Sequence, residues 1–305
     1  MDFEPDQRGS MKLILRTIIM MFLLAQGSLL AAAPSKCEDP APLRFSLIPR
    51  KDQIRQLEEH RPLLRHLETK LGRRIRVVQV SSYGTVIEGL VAGSIDLASM
   101  GPGSYAIARS RDESITPFVT WTMQGGTFVK AGAHSYNSLL IVLARSNFKQ
   151  IEDLRSHNIS LTDPASTSGG VIPRAEFRKA TGQSLDDFVG RVTYSGSHDR
   201  SVVALTKRQV DAAFVASEHL DQAIRDGLIK ADEIRVLWES SAIPHDPFVY
   251  RGKLCPELKA RIRDAFNSEA PEMQEMLRNL KGERFVPVTD DAYRQIREVM
   301  LREQK

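Results

Sequence analysis

Three consecutive hydroxyl residues, Ser166-Thr167-Ser168, stand between a short apolar run and the start of a helical pattern. Two glycines follow them, and Pro173 comes next. Proline is tolerated near a helix start but not in a helix interior, so this pattern places the hydroxyl cluster at a helix N-terminus. Unpaired N–H groups and the positive end of the helix dipole favour an anion there. We therefore predict that this turn binds a small oxyanion.

A second turn between a strand and a helix carries the residues Ser-Gly-Ser-His-Asp at 195–199. His198 then stands at the start of the following helix, beside any anion held there. A histidine in a surface loop is the alternative interpretation. Both turns directly follow predicted strands. Open α/β sheets bind their ligands there, outside the carboxyl ends of the strands.

Two acidic residues and two tyrosines complete the candidate set. Glu218 opens a helix after a buried strand, and Asp246 lies in a Pro-His-Asp-Pro turn. Alternative interpretations explain the two acids equally well: Glu218 would compensate the helix dipole, and Asp246 would favour the turn. Tyr83 and Tyr136 each fall at the end of a strand or loop, where partly buried packing is also common.

Enzymatic interpretations have weaker support. The Gly-Pro-Gly-Ser-Tyr-Ala run at 101–106 fits a dinucleotide fingerprint, but no acidic residue ends the next strand. Ser168, His198 and Asp246 could form a hydrolytic triad, yet the chain has no Gly-x-Ser-x-Gly elbow. The remaining histidines lack the spacing of metal ligands, so we expect no metal site and no cofactor.

Composition limits the class of protein further. Of the 305 residues, 42% are hydrophobic and 26% are charged, which suits a globular chain of about two domains. The net charge of +4 comes from 42 basic and 38 acidic residues that are spread along the chain. Nucleic-acid-binding proteins concentrate positive charge on one region, so no nucleic-acid partner is expected.

Residues 1–36 have the pattern of a signal peptide. Lys12 and Arg16 precede an apolar run at 18–25, and three alanines at 31–33 form a zone of small residues. The apolar run is shorter than the ~20 residues of a membrane-spanning helix. Export is therefore expected, with an uncleaved anchor as the alternative.

Strand-like and helical segments alternate twice along the chain, over about 100 residues each time. This alternation predicts an α/β protein with parallel sheets covered by helices. The C-terminal tail shows helical patterns at 256–266, 271–280 and 292–302 and little strand. Two lobes with a cleft between them follow from this organisation.

Several segments resemble the phosphate-, phosphite- and phosphonate-binding proteins of ABC importers, the PhnD-like group. The resemblance covers residues 43–265 and rests on DPASTSG at 163–169, TYSGSHD at 193–199, QVDAA at 209–213 and IPHDPFV at 243–249, with VIEGL at 86–90 and DLA at 96–98. It implies the two-lobed type II periplasmic-binding fold, with two crossing strands and a hinge that closes on the ligand. Lobe one is then 37–137 plus 243–305, including the helical tail, and lobe two is 138–242.

The resemblance also implies roles for individual residues. The –PO₃ head of the ligand would be held by the turn at Ser166–Ser168, which we call the hydroxyl turn, and by the histidine of the second turn. The tyrosines would line the pocket. Acids at the far end would accept the amine of 2-aminoethylphosphonate. Carried over to this chain, the ligand-binding residues are Tyr83, Tyr136, Ser166, Thr167, Ser168, His198, Glu218 and Asp246. The chain departs from the family pattern at Arg50, where an acid is common.

The implied protein is a periplasmic monomer, not an enzyme, that delivers a small phosphorus oxyanion to an ABC permease in the inner membrane. Two alternatives remain: a ligand-sensing subunit of the same fold that docks on a membrane receptor, and a hydrolase built on the same lobes. Cys37 and Cys255 are the two cysteines. Because the implied fold places both on lobe one, and because an oxidising compartment permits disulfides, we predict that they form one.

Overall fold

The structure, a computed structural model, describes residues 37–303, so the predicted signal peptide at 1–36 lies outside the described residues. Residues 39–303 belong to one compact unit, whose fold is given below. Among the described residues, no helix is both long and apolar enough to cross a membrane.

The first sheet has six strands in the order β13-β4-β12-β3-β1-β2. These are β1 Leu43–Leu47, β2 Ile75–Val77, β3 Leu97–Ser99, β4 Thr116–Met123, β12 Phe248–Tyr250 and β13 Gly282–Pro287. Strands β1, β2 and β3 are parallel, whereas β12, β4 and β13 pair antiparallel. The first three strands are linked by helical crossovers, and the other pairs include strands from the returning C-terminal part of the chain.

Helices cover both faces of this sheet. They are α1 Gln53–Leu71, α2 Tyr83–Val91, α3 Pro102–Arg111, α8 Pro256–Phe266 and α9 Pro271–Leu280. Helix α1 begins where the Asp52 side chain accepts a hydrogen bond from Arg55 N, and it ends at Gly72, whose φ of 62° favours glycine. Its apolar stripe, including the buried Leu63 and Leu67, packs into the core. We call this sheet with its helices lobe one.

The second sheet has five strands in the order β10-β6-β9-β7-β8. These are β6 Ser138–Leu143, β7 Asn158–Leu161, β8 Arg191–Tyr194, β9 Ala212–Ala216 and β10 Ile234–Glu239. Its helices are α4 Ile172–Thr181, α5 Leu185–Phe188, α6 His198–Thr206 and α7 Ser217–Arg225. Every residue of β9 is buried, as expected for a strand covered on both faces. We call this sheet with its helices lobe two.

Two short strands, β5 Ser135–Tyr136 and β11 Ile243–Pro244, pair antiparallel between the lobes. They are the two crossing strands that the resemblance implies. Behind them lies a cluster of apolar side chains that we call the hinge cluster: Ala106, Tyr136, Ile172, Ala216, Ile243 and Ile296. The last helix, α10 Arg294–Glu303, supplies Ile296 and contacts both α3 and α4. It therefore reaches beyond lobe one, where the sequence placed the whole tail.

The structure corrects two further expectations. Both sheets are mixed rather than parallel, because β6 pairs antiparallel with β9 and β10, and the strands that return to lobe one run antiparallel to β3 and β4. The tail also contributes β13, which alternation of sequence elements did not reveal. Each strand of the two large sheets lies in the sheet of the lobe to which the sequence assigned its residues. The lobe boundaries themselves remain a prediction. Cys37 and Cys255 are both disulfide-bonded, and their mutual pairing also remains a prediction.

Candidate functional site

The hydroxyl turn forms the entrance to α4. Thr167–Val171 is a wide π-helical turn that leads into α4, and Pro173 lies in the first turn of that helix, as the sequence predicts. The Ser166 hydroxyl accepts a hydrogen bond from Gly169 N at 3.1 Å. The backbone N–H groups of Thr167 and Ser168 have no acceptor in the described part of the chain. All three hydroxyl residues are buried.

Glycine is required directly after this cluster. A Cβ atom at Gly169 would lie 2.1 Å from Thr162 Oγ1, and one at Gly170 would lie 2.2 Å from the backbone oxygen of Asp163. Neither approach is possible for a side chain. The two glycines therefore let the turn fold tightly against the end of β7.

His198 begins helix α6 and presents one ring nitrogen for a ligand. Its Nδ1 accepts a hydrogen bond from Ala216 N at 3.3 Å, and the Thr162 hydroxyl donates to the same atom at 3.1 Å. Because a backbone N–H can only donate, Nδ1 carries no proton, and the neutral ring carries its proton on Nε2. Burial lowers the pKa of His198 to about 4. Near pH 7 the ring is thus a neutral donor.

The two candidate tyrosines are buried beside the hydroxyl turn. The Tyr83 hydroxyl has no hydrogen-bond partner among the described residues. Burial raises the pKa of Tyr83, while the Ser166 hydroxyl lies near enough to lower it. Burial also raises the pKa of Tyr136, and the hydroxyls of Thr167 and Ser168 act in the opposite direction. Both phenols stay protonated and can donate a hydrogen bond to an anion.

Both turns contact lobe one directly. Gly103 N donates a hydrogen bond to the Thr167 hydroxyl oxygen at 2.8 Å. At the second turn, His198 N donates to the backbone oxygen of Arg50 at 3.0 Å. The cleft between the lobes is therefore closed over the hydroxyl turn and His198.

The two candidate acids have partners within the chain. Asp246 Oδ2 lies 2.7 Å from Arg50 Nη1, with both side chains buried. Glu218 Oε2 lies 2.6 Å from His245 Nε2, and Nδ1 of that ring faces the Thr120 hydroxyl oxygen at 3.4 Å. The Thr120 hydroxyl itself donates a hydrogen bond to Asp246 O at 2.7 Å.

Electrostatics differ at these two carboxyl groups. Burial opposes ionisation of Glu218, but the electrostatic interaction and the hydrogen bond with His245 outweigh it and lower the pKa of that carboxyl. Burial raises the pKa of Asp246 to about 6, against the pull of Arg50. The site therefore holds two buried acid–base pairs beside the hydroxyl turn.

Arg50 and His245 are site residues that the sequence did not predict. Arg50 follows β1 at its carboxyl end, which is the edge where α/β sheets bind ligands. This position and the departure from the family pattern at Arg50 were the signals that could have identified it. His245 is fully buried, a fact that the Pro-rich turn around it does not reveal. The predicted ligand roles of the other residues remain predictions.

The enzymatic interpretations do not fit this geometry. A triad needs Asp246 on Nδ1 of His198, but Asp246 pairs with Arg50 and that nitrogen binds Thr162 and Ala216. The fingerprint loop uses the N–H of Gly103 to contact lobe two. No group of three or more potential metal ligands occurs within residues 37–303.

Comparison with known proteins agrees with this architecture. The family model described as "ABC transporter, phosphonate, periplasmic substrate-binding protein" matches residues 45–293. The phosphonates-binding periplasmic protein of Escherichia coli is 28% identical over 294 residues, covering 94% of this chain and 84% of that protein. The phosphate-import protein PhnD of Mycolicibacterium smegmatis is 28% identical over 240 residues, covering 76% and 73%.

A solved structure shows the same fold. The binding protein component of an ABC phosphonate transporter from Pseudomonas aeruginosa superposes with a TM-score of 0.77 at 26% identity, covering 88% of this chain and 87% of that one. The superposition therefore includes both lobes.

Proposed function

The chain belongs to the family of periplasmic substrate-binding proteins of phosphonate ABC transporters, and on that premise we propose that it captures a phosphonate- or phosphite-type oxyanion and delivers it to a membrane permease. Its fold is the two-lobed type II periplasmic-binding fold. The family consists of binding components rather than enzymes, and its periplasmic location implies export.

One observation carries the proposed ligand class: at and near the hydroxyl turn, four hydrogen-bond donors of buried residues have no acceptor among the described residues. They are the Tyr83 hydroxyl, the N–H groups of Thr167 and Ser168, and the Nε2–H of His198. Buried donors are normally satisfied, so this concentration indicates a ligand rich in acceptor oxygens. A tetrahedral –PO₃ group supplies three such oxygens and places its charge at a helix N-terminus.

Calorimetry on the mature protein tests the ligand class. We expect a micromolar or tighter Kd for at least one of methylphosphonate, phosphite, phosphate and 2-aminoethylphosphonate. The Ser168→Ala variant should lose roughly tenfold in affinity because a hydrogen bond to a charged acceptor is lost. Ser110→Ala, at an exposed position of lobe one, is the matched control. Absence of binding to all four compounds would refute the proposal.

The predicted amine pocket enters the same test. 2-Aminoethylphosphonate needs Glu218 and Asp246 to accept an ammonium group, and both carboxylates already have partners here.

Delivery is tested by measuring uptake of the bound compound in cells that lack this protein and in the same cells after its gene has been introduced. Uptake that does not depend on the gene would indicate a sensor instead. Size-exclusion chromatography with light scattering tests the proposed monomer.

A further inference from the structure

The substituent carried by the ligand can be inferred from the Arg50–Asp246 pair, provided the proposed function holds. The guanidinium and the carboxylate are 2.7 Å apart, and their side chains are only 6% and 4% exposed. A buried carboxylate in a binding cleft needs a cation, which either the ligand or the chain can supply. In this protein the chain supplies it.

Arg50 is held in this position from several sides. Its guanidinium lies over the Trp121 ring at 5.8 Å, and Nη2 lies 3.4 Å from Ser99 Oγ. Its backbone N donates to Gln56 Oε1 at 3.2 Å, and its backbone oxygen accepts from His198 N at 3.0 Å. A side chain fixed at its backbone, its planar face and its charged end does not move aside at low cost when a ligand enters.

The second carboxylate is no more accessible to a ligand cation. Glu218 Oε2 is 2.6 Å from His245 Nε2, and Glu218 Oε1 is 3.6 Å from His219 Nε2. An ammonium group entering this region would have to displace one of these partners and would lie beside the positive charge of Arg50. Repulsion between the ammonium group and Arg50 would disfavour binding. The displaced partner of the carboxylate would be left unpaired in the interior, which would cost further free energy.

We propose that Arg50 is a specificity-determining residue that takes the place of a ligand ammonium group beside Asp246, so that the protein selects phosphorus oxyanions without an amino group. The favoured ligands are then phosphite, phosphate or an alkylphosphonate. An aminoalkylphosphonate is excluded by charge and not by size.

A pair of ligands of equal size separates charge from shape. Propylphosphonate and 2-aminoethylphosphonate differ in a terminal methyl versus ammonium group. Calorimetry on the wild-type protein should give a Kd at least about tenfold tighter for propylphosphonate. In Arg50→Met the ratio of the two Kd values should move toward 2-aminoethylphosphonate by at least about tenfold, because Asp246 then lacks a cation.

Two further variants keep the test decisive. Arg50→Lys retains the charge and should retain the wild-type preference. Arg50→Gln also removes the charge and replaces the methionine variant as the readout if that variant does not fold. Arg50→Met combined with Asp246→Asn removes both charges and should lose the gain in 2-aminoethylphosphonate binding. A wild-type protein that prefers 2-aminoethylphosphonate, or an unchanged ratio in Arg50→Met, would overturn the inference alone. No binding of any phosphorus oxyanion would overturn the proposed function and this inference with it.

Discussion

The hydroxyl oxygen of Thr167 in lobe two accepts a hydrogen bond from the backbone N of Gly103 in lobe one at 2.8 Å. Because that oxygen accepts from Gly103, the Thr167 hydroxyl hydrogen is directed elsewhere and can be donated to a ligand oxygen. One side chain thus contributes both to the closed arrangement of the lobes and to the proposed anion site. The bond links the helix start of α3 to that of α4.

Removing this hydroxyl should weaken binding. For Thr167→Val we expect affinity for the bound oxyanion to fall by about tenfold or more, because a donor to the ligand and a bond between the lobes are both lost. Thr167→Ser keeps the hydroxyl and should stay close to the wild type. Calorimetry measures the Kd values, and small-angle scattering shows whether the valine variant is more open with ligand present. Wild-type affinity in Thr167→Val would contradict the assignment.

The Tyr83 hydroxyl allows binding to be separated from stability. It is buried, with 1% of the residue exposed, and has no partner in the described chain. Tyr83→Phe should therefore leave the melting temperature of the ligand-free protein unchanged or raise its stability by up to about 1 kcal/mol, while affinity falls about tenfold.

The matched control is Tyr105→Phe. The Tyr105 hydroxyl donates to Asp290 Oδ1 at 2.5 Å, so its loss should lower the melting temperature without changing ligand affinity. Thermal unfolding and calorimetry on the two variants give opposite patterns if the Tyr83 hydroxyl binds ligand. Equal losses of stability in both would indicate that Tyr83 is a packing residue.

Many elements of this fold could be predicted from local patterns in the sequence. Pro173 correctly marked the start of α4, and the helical patterns at 256–266 and 271–280 match α8 and α9. Strand direction could not be predicted in the same way, because pairing depends on how the chain returns to a sheet and not on residue types within a strand. Strand β13 was missed for that reason.

The site was predictable to the extent that it depends on helix starts. His198 and the hydroxyl residues were identified because turn residues and helix N-termini have local signatures. The ion pair of Arg50 and Asp246 joins residues that are 196 positions apart. No local pattern reports such a contact, so the sequence predicted an open acid pocket where the structure has a paired one.

His198 predicts a dependence of folding stability on pH. Burial lowers its pKa from 6.5 to about 4, so between these values the unfolded chain binds more protons than the folded one. Stability should therefore be complete above pH 6.5 and fall as the pH is lowered toward 4. The contribution of this residue corresponds to about 3 kcal/mol.

Other groups titrate in the same range, so the test compares variants. Burial lowers the pKa of His60 to about 3, which acts in the same direction, whereas the raised pKa of Asp246 acts in the opposite one. Urea unfolding of His198→Asn at several pH values should show a smaller loss of stability between pH 6.5 and 4 than the wild type. Ser110→Ala, at an exposed position and without an ionisable group, should keep the wild-type slope. Equal slopes in all three proteins would refute the assignment.

The predicted Cys37–Cys255 disulfide is tested by mass. Intact protein from an oxidising compartment should weigh less than the reduced protein by two hydrogen atoms, and a peptide containing both cysteines should appear after proteolysis without reductant. Cys37→Ser and Cys255→Ser should lower stability equally, by about 2–4 kcal/mol. Two free thiols in the wild-type protein would contradict the prediction.

The hinge cluster has a consequence for the ligand concentration at which this protein would be saturated. Ile296, on the last helix, packs in a cluster that joins both lobes at the crossing strands and is not among the predicted ligand contacts. Measured affinity equals intrinsic affinity scaled by the fraction of molecules in the binding-competent form. Apolar side chains of the hinge cluster can therefore set the ligand concentration at which the proposed import saturates, so that adaptation to rich or poor habitats need not alter any residue that is proposed to bind the ligand.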